Sequence, residues 1–365
     1  VTAAFVTAAF RTPVMPRGGA FAALALQDLA APLVTACLKA GGVEPGEVDE
    51  LILSNALGAG GNPARLVALA AGLPERVAGL SIDRQCAGGL DALLLARAMV
   101  MAGLAEAVLA GGAESYSRRP LRLRTDPGGG PPLPYDAPPF TPWPDRDPGM
   151  AEAAAALAEA LCIDRAAQDE WAVASHARAL AARGRMATEI LPLRGNGQDG
   201  FTRALSVALA ARATVLTGPI TVANTAVAAD GAALCLVVSE RLAGHAPRAL
   251  RLAGGMTVGA APDLPGLAPL AAIRAVLDRA GLRPQDLRLA EVMEAYAVQA
   301  IACVQGAGLD PACVNPGGGA LARGHPVGAS GAVLAVRAFH DLRTGHGLAT
   351  IAAAGGLGTA LLLEA

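Results

Sequence analysis

The sequence predicts an α/β fold built twice over, with a loop-rich segment inserted into the first half. Three observations carry this. Gly42-Val43-Glu44-Pro45 resembles Gly281-Leu282-Arg283-Pro284, and both this pair and the pair Cys86 and His325 stand 239 residues apart. Short apolar runs of strand length alternate with helical patterns in both halves. A stretch dense in proline and glycine interrupts the alternation after residue 117.

The elements follow in order. Strands are predicted at 4–8, 50–53, 79–82 and 107–110, with helices at 24–40, 63–72 and 86–103. Pro32 falls inside the first helix and predicts either a kink or a start nearer the proline. Strands separated by helices of this length imply a largely parallel sheet covered on both faces. Residues 118–147 hold Pro120, Pro127, Gly128, Gly129, Gly130, Pro131 and Pro132, and no regular element is expected there. Helices follow at 150–161 and 165–182, the second with Asp164 as N-cap and Gly184 after its last turn. Strands return at 220–222 and 232–238, then helices at 269–281 and 330–341 and a last strand at 359–364. The expected division is residues 1–117 plus 219–245 as the N-terminal half, 118–218 as an inserted loop domain, and 246–365 as the C-terminal half.

Composition narrows the function. Hydrophobic residues make up 53% of the chain and aromatics only 3%, so the core is built from Ala, Leu and Val. Net charge is −2, Lys39 is the single lysine, and no basic run interleaved with aromatics suggests nucleic acid. Apolar runs are broken before they reach membrane-spanning length, Ala92 to Gly112 by Arg97 and Glu106. The first residues read as a strand and not as a signal peptide. Six cysteines (37, 86, 162, 235, 303 and 313) are scattered without Cys-x-x-Cys spacing. Neither a zinc site nor a disulfide framework is indicated, and a reducing cytoplasm is expected.

Two segments bear chemistry. Ser81-Ile82-Asp83-Arg84-Gln85-Cys86-Ala87-Gly88-Gly89 and Gly324-His325-Pro326-Val327-Gly328-Ala329-Ser330-Gly331 each lead into an Ala-rich helix. A cysteine at a helix N-terminus is expected to favour its thiolate, and histidine is the usual partner of a nucleophilic cysteine. Taken alone, Cys86 reads more readily as a core cysteine, and the duplication also fits a fold with no surviving chemistry. His176, His245, His340 and His346 read as structural or surface residues, and Trp143 and Trp171 as packing within the insertion.

With Ala349-Thr350-Ile351-Ala352-Ala353-Ala354-Gly355-Gly356-Leu357-Gly358, Arg11-Thr12-Pro13, Asn62-Pro63-Ala64-Arg65, Ala110-Gly111-Gly112-Ala113-Glu114-Ser115 and Asp230-Gly231-Ala232, the chain resembles the thiolase family over nearly its whole length. The resemblance implies a layered α/β/α/β/α fold and acyl transfer between coenzyme A thioesters through an acyl-cysteine. It implies Cys86 as nucleophile, His325 as the group that takes the thiol proton, and an oxyanion hole from the backbone N–H groups of Cys86 and Ala354. It further implies a homodimer or homotetramer, acyl-CoA as substrate and no separate cofactor or metal.

Departures from the family pattern bear on mechanism. The second catalytic cysteine is Ala352, which cannot move a proton at the α-carbon of the acyl group. The asparagine of the family's Asn-Glu-Ala-Phe run is Met293, which cannot donate a hydrogen bond. The segment near the pantetheine reads Ala223-Asn224-Thr225-Ala226, so Asn224, Ala226 and Gly355 are expected against substrate with a serine missing. Glu294 is a candidate replacement base, although a structural hydrogen-bonding role is favoured. The expected function is a thiolase-type acyltransferase with carbon–carbon chemistry impaired. The alternatives are a thioester hydrolase or transfer to a non-carbon acceptor, and a non-catalytic acyl-CoA-binding partner subunit.

Overall fold

The computed structural model describes residues 3–58 and 60–365. The first half runs β1 (Ala4–Arg11), α1 (Leu26–Gly41), β2 (Glu50–Ser54), α2 (Pro63–Ala70), β3 (Leu80–Ile82), α3 (Gly88–Met101) and β4 (Ala107–Ser115). The insertion carries α4 (Met150–Ala160) and α5 (Arg165–Met186), after which β5 (Ala229–Ser239) returns to the sheet. The second half follows as β6 (Leu250–Gly259), α6 (Ala268–Ala280), β7 (Leu287–Val292), α7 (Ala297–Ala307), α8 (Ser330–Asp341), β8 (His346–Ala353) and β9 (Leu357–Glu364).

A ten-stranded sheet orders these strands β7-β8-β9-β6-β1-β5-β4-β2-β3, with Met15–Pro16 pairing to β5. The pairing sense repeats. In the first half β2–β4 is parallel, then β4–β5 and β5–β1 are antiparallel. In the second half β7–β8 is parallel, then β8–β9 and β9–β6 are antiparallel. Even the parallel β2–β3 pair has a counterpart, the single bridge between Ala290 and Val314.

The sheet is therefore mixed, which corrects the expectation of a largely parallel one. The reason is local. Residues 354–356 form a three-residue turn, and strands joined so tightly must run antiparallel. A strand buried on both faces is apolar throughout whichever way it runs, so its sequence carries no sign of direction.

Alternation along the strands builds the layers. Leu234, Leu236 and Val238 of β5 pack outward with Leu29, Leu33 and Val34 of α1. Ala233, Cys235 and Val237 face a central cluster with Leu90 and Leu93 of α3 and Val333 and Leu334 of α8. In β9, Leu361 and Leu363 join the same centre, while Ala360 and Leu362 pack against Ala272 and Ile273 of α6. Each buried leucine stabilises the fold by about 1.5–3 kcal/mol relative to exposure. Helices α3 and α8 thus form the middle layer of five.

Those helices touch backbone to backbone near their first turns. A Cβ on Gly89 would lie 2.4 Å from the Ala332 nitrogen, and one on Gly331 would lie 2.6 Å from the Leu90 nitrogen. Only glycine permits this approach. It draws together the segments just upstream, which carry Cys86 and His325.

Other local expectations are met or adjusted. Asp164 caps α5, accepting from the Ala167 N–H at 2.8 Å, but the helix continues through Gly184 to Met186. Helix α1 runs on both sides of Pro32. The proline-rich stretch, expected to lack regular structure, holds a short hairpin of Arg122–Arg124 with Leu133–Tyr135. Trp143 is 52% exposed, and Trp171 reaches out of the insertion to Glu294 at 3.1 Å, so neither packs wholly within it. A buried ion network joins the segments. Arg11 of β1 meets Glu189 and Asp199, each at 2.7 Å, and Arg337 of α8 meets Glu189 from the other side.

Candidate active site

A cavity of about 380 Å³ opens between the two halves and the insertion, with Cys86 and His325 in its wall. Cys86 lies in a short 3₁₀ turn, Gln85–Ala87, directly ahead of α3. The turn is held by Asp83, whose carboxylate accepts the Gln85 N–H at 2.8 Å. His325 is placed by its own N–H, which donates to the Val227 carbonyl at 2.8 Å. Cys86 Sγ and His325 Nε2 are 3.2 Å apart.

The histidine tautomer follows from its other nitrogen. His325 Nδ1 lies 2.6 Å from Ser330 Oγ, and the Ser330 hydroxyl donates to the Pro326 carbonyl at 3.0 Å. With that proton committed, the Ser330 oxygen accepts from Nδ1–H, and the Nε2 lone pair faces the thiol. The imidazole is therefore oriented as a base.

Burial pushes the Cys86 thiol up to about 12, and the charges of Glu114 and Asp83 add to the rise. Burial also pushes His325 down to about 4. Desolvation of the anion thus opposes the thiolate that the partial charge of the helix N-terminus is expected to favour. Both shifts favour a neutral thiol beside a neutral imidazole. Cys86 remains partly exposed to the cavity, so an incoming carbonyl reaches the sulfur as its proton leaves for Nε2.

Glu114 braces the site from behind. It accepts from Asn55 Nδ2 at 2.7 Å, from the Ala56 and Leu57 N–H groups at 3.1 and 3.3 Å, and from the Gly328 N–H at 2.9 Å. It thereby ties a cavity-wall loop to the loop of His325. Its carboxyl is pushed up to about 7, burial outweighing the four donors.

The predicted residues separate into two groups. Cys86, His325, Ala226, Ala352 and Ala354 line the one cavity. Ala354 begins a turn in which Gly355 and Gly356 take φ values of 76° and 77°, and the Gly356 backbone packs on the Ala260 and Ala261 carbonyls. Asn224, Met293 and Gly355 are not among the lining residues. Asn224 is a buried brace, accepting the Thr221 N–H at 2.8 Å and donating to Asp169 at 3.1 Å. Met293 is 1% exposed and packs in the central core.

Glu294 is the structural residue favoured from the sequence. It accepts from Trp171 Nε1, Ser175 Oγ at 2.7 Å, Asn315 Nδ2 at 2.8 Å and the Leu321 N–H at 3.2 Å. Ser330 and Glu114 lie in the motif segments that carry the family resemblance, but their side-chain roles are not legible from the sequence. The signal for Ser330 was its place five residues after His325, at the start of a helix. Among the described residues no cluster of three His, Cys, Asp or Glu side chains is placed to hold a metal ion, and no helix is long and apolar enough to cross a membrane.

Comparison with known proteins decides the family. The model of the thiolase N-terminal domain matches residues 4–241, and that of the thiolase C-terminal domain matches residues 247–365. The chain belongs to the thiolase family. Among similar thiolase relatives is a Bacillus subtilis protein named provisionally as an acetyl-CoA C-acetyltransferase, 39% identical over 353 residues that cover 93% of this chain and 92% of the relative. The Escherichia coli 3-oxoadipyl-CoA/3-oxo-5,6-dehydrosuberyl-CoA thiolase is 36% identical, with 99% of each chain covered. The crystal structure of the Bacillus anthracis acetyl-CoA acetyltransferase superposes with a TM-score of 0.92 at 32% identity, covering 100% of this chain and 98% of that one. An Ascaris suum thiolase solved with coenzyme A gives 0.93 at 26% identity, with 99% of each chain covered. The protein is a thiolase-type acyl-CoA acyltransferase.

Proposed function

We propose that this thiolase takes an acyl group from a coenzyme A thioester onto Cys86 and that carbon–carbon bond chemistry is its weak step. His325 Nε2 accepts the thiol proton as sulfur attacks the thioester carbonyl. The backbone N–H groups of Cys86 and Ala354 receive the developing oxyanion, donors of a kind worth about 3–4 kcal/mol each in acyl transfer. The protonated imidazole then returns its proton to the departing coenzyme A thiolate, leaving an acyl-cysteine. The 3.2 Å approach of Sγ to a correctly oriented Nε2 carries this reading.

A second reading of the later step is favoured by Ala352. It stands in the cavity wall with a methyl group where the family's second thiol would act, so an acceptor that needs no deprotonation at carbon, such as water, is the better match. We further propose that the protein works as a homo-oligomer in the cytoplasm. Leu66 and Leu69 of α2 and Leu80 of the edge strand β3 are each 42–49% exposed, an apolar margin suited to a second copy.

Intact-protein mass spectrometry after mixing with acyl-CoAs, with coenzyme A release followed in parallel, tests the central claim. A one-acyl adduct that Cys86→Ala abolishes is expected. An unchanged adduct in that variant places the nucleophile elsewhere.

A further inference from the structure

The cavity wall is mostly apolar, yet it includes two guanidinium groups, those of Arg119 and Arg122. Arg119 lies over the Tyr116 ring at 5.0 Å, and Arg17 approaches the same ring at 5.4 Å. A second cavity of about 520 Å³ adjoins the first, sharing Tyr116, Arg119, Arg122 and Asp136 and adding Arg17. Two cations thus flank one aromatic ring, and a third, Arg122, lines the same two cavities, in a chain whose net charge is −2.

Their charges are poorly matched by the protein. Arg122 Nη2 donates to the Ala56 carbonyl at 3.2 Å, which leaves most of its five donors without a protein acceptor among the described residues. Arg119 pairs with Asp136 at 2.7 Å, but that carboxylate is 83% exposed, so solvent screens the pair and it opens at little cost. Asp83, the other carboxylate of the wall, accepts the Gln85 N–H and makes no ion pair with Arg119 or Arg122 among the described residues. A guanidinium stacked on a ring and half-buried against apolar wall is pre-organised for a planar anion.

We propose that Arg119 and Arg122 form an anion subsite for the thioester substrate, filled by a carboxylate at the far end of the acyl chain or by a phosphate of the coenzyme. The subsite rests on the acyl-cysteine reading, because the two arginines share a wall with Cys86. An apolar wall ending in guanidinium groups suits an ω-carboxyacyl thioester, whose methylenes pack along the wall while its charge meets Arg119 and Arg122.

Single-turnover acylation of the full chain by adipyl-CoA, hexanoyl-CoA and the two corresponding pantetheine thioesters tests this, in wild type and in Arg119→Gln/Arg122→Gln. If the carboxylate fills the subsite, the variant acylates about ten- to hundredfold more slowly with both adipyl substrates and keeps its hexanoyl rates. If a phosphate fills it, both coenzyme A thioesters slow and both pantetheine thioesters do not. An equal loss with all four, or no loss with any, overturns the proposal. Calorimetric binding of adipyl-CoA and hexanoyl-CoA to Cys86→Ala, with and without the two arginine substitutions, reads the subsite apart from the chemistry. Loss of affinity on removing the arginines supports the subsite even if no acyl-cysteine forms, and unchanged affinity for both overturns it.

Discussion

Alkylation of Cys86 by iodoacetamide at pH 8 is expected to be about thirty- to sixtyfold slower than that of an ordinary thiol. The figure follows from burial, which takes the thiol from 9.0 to about 12. Three pH units mean roughly a thousandfold less thiolate below pH 9. A more basic thiolate is also a better nucleophile, and a Brønsted coefficient of about 0.4–0.5 restores roughly sixteen- to thirtyfold. The rate should climb close to tenfold per pH unit from pH 7 to 10. Peptide-resolved mass spectrometry measures it, with the exposed Cys162 as an internal reference. A rate that is already flat from pH 5 upward would show a resting thiolate–imidazolium pair and refute the neutral pair described above. Acylation behaves differently, because His325 takes the proton during attack. His325→Ala should slow coenzyme A release about 10²–10⁴-fold.

Four further outcomes are expected. Ser330→Ala leaves Nδ1–H of His325 without its acceptor, so kcat for acylation should drop about tenfold and unfolding should be easier by about 1–3 kcal/mol, as steady-state kinetics and denaturant melts will read. Wild-type exchange of the acetyl α-proton, followed by deuterium wash-in to acetyl-CoA, should lag acylation by about 10²-fold or more, and Ala352→Cys should narrow the gap; exchange as fast as acylation would mean that another base already acts. Gly331→Ala forces a Cβ against the Leu90 nitrogen and should cost about 1–3 kcal/mol in denaturant unfolding. His176 is pushed down from 6.5 to about 4 by burial and then by Arg203. A depressed histidine holds its full contribution above pH 6.5 and loses it as pH falls toward 4, so wild type should lose stability across that window and His176→Phe should lose less.

Much of the fold was legible because duplication and alternation leave marks in sequence. Gly42 and Gly281 both end helices in left-handed conformations, with φ of 65° and 67°, and both precede a 3₁₀ turn opened by proline. That shared need explains why the two segments still resemble each other. Strand direction was not legible, since Leu234 and Leu236 bury outward while Ala233 and Cys235 bury inward, and both faces are apolar. In the site, Cys86 and His325 were visible as residue types beside glycines. The protonation state was not, because it depends on how much wall surrounds the sulfur and not on which helix follows it. Asn224 shows the opposite error: its place in a family motif suggested substrate contact, while its amide is committed to Thr221 and Asp169.

The two departures from the family pattern act at different depths. Ala352 is open to the cavity, so the missing thiol is a local loss that one sulfur atom could restore. Met293 lies in the core formed by α3, α8 and the inner strand faces, and its N–H donates to the Thr350 carbonyl at 3.0 Å. An asparagine there would bring a polar amide into an apolar cluster and must find partners to avoid a cost of about 1–3 kcal/mol. Methionine removes that demand and fills the space with a flexible apolar chain. Cys86 packs against the edge of this same core, but the polar contacts that set the acylation pair, Ser330 on His325 and the Glu114 brace, are made by neither residue 293 nor residue 352. On the proposed function, acyl-enzyme formation persists while proton removal at carbon is slowed, and the ratio of the two rates separates this condition from a site that has simply collapsed.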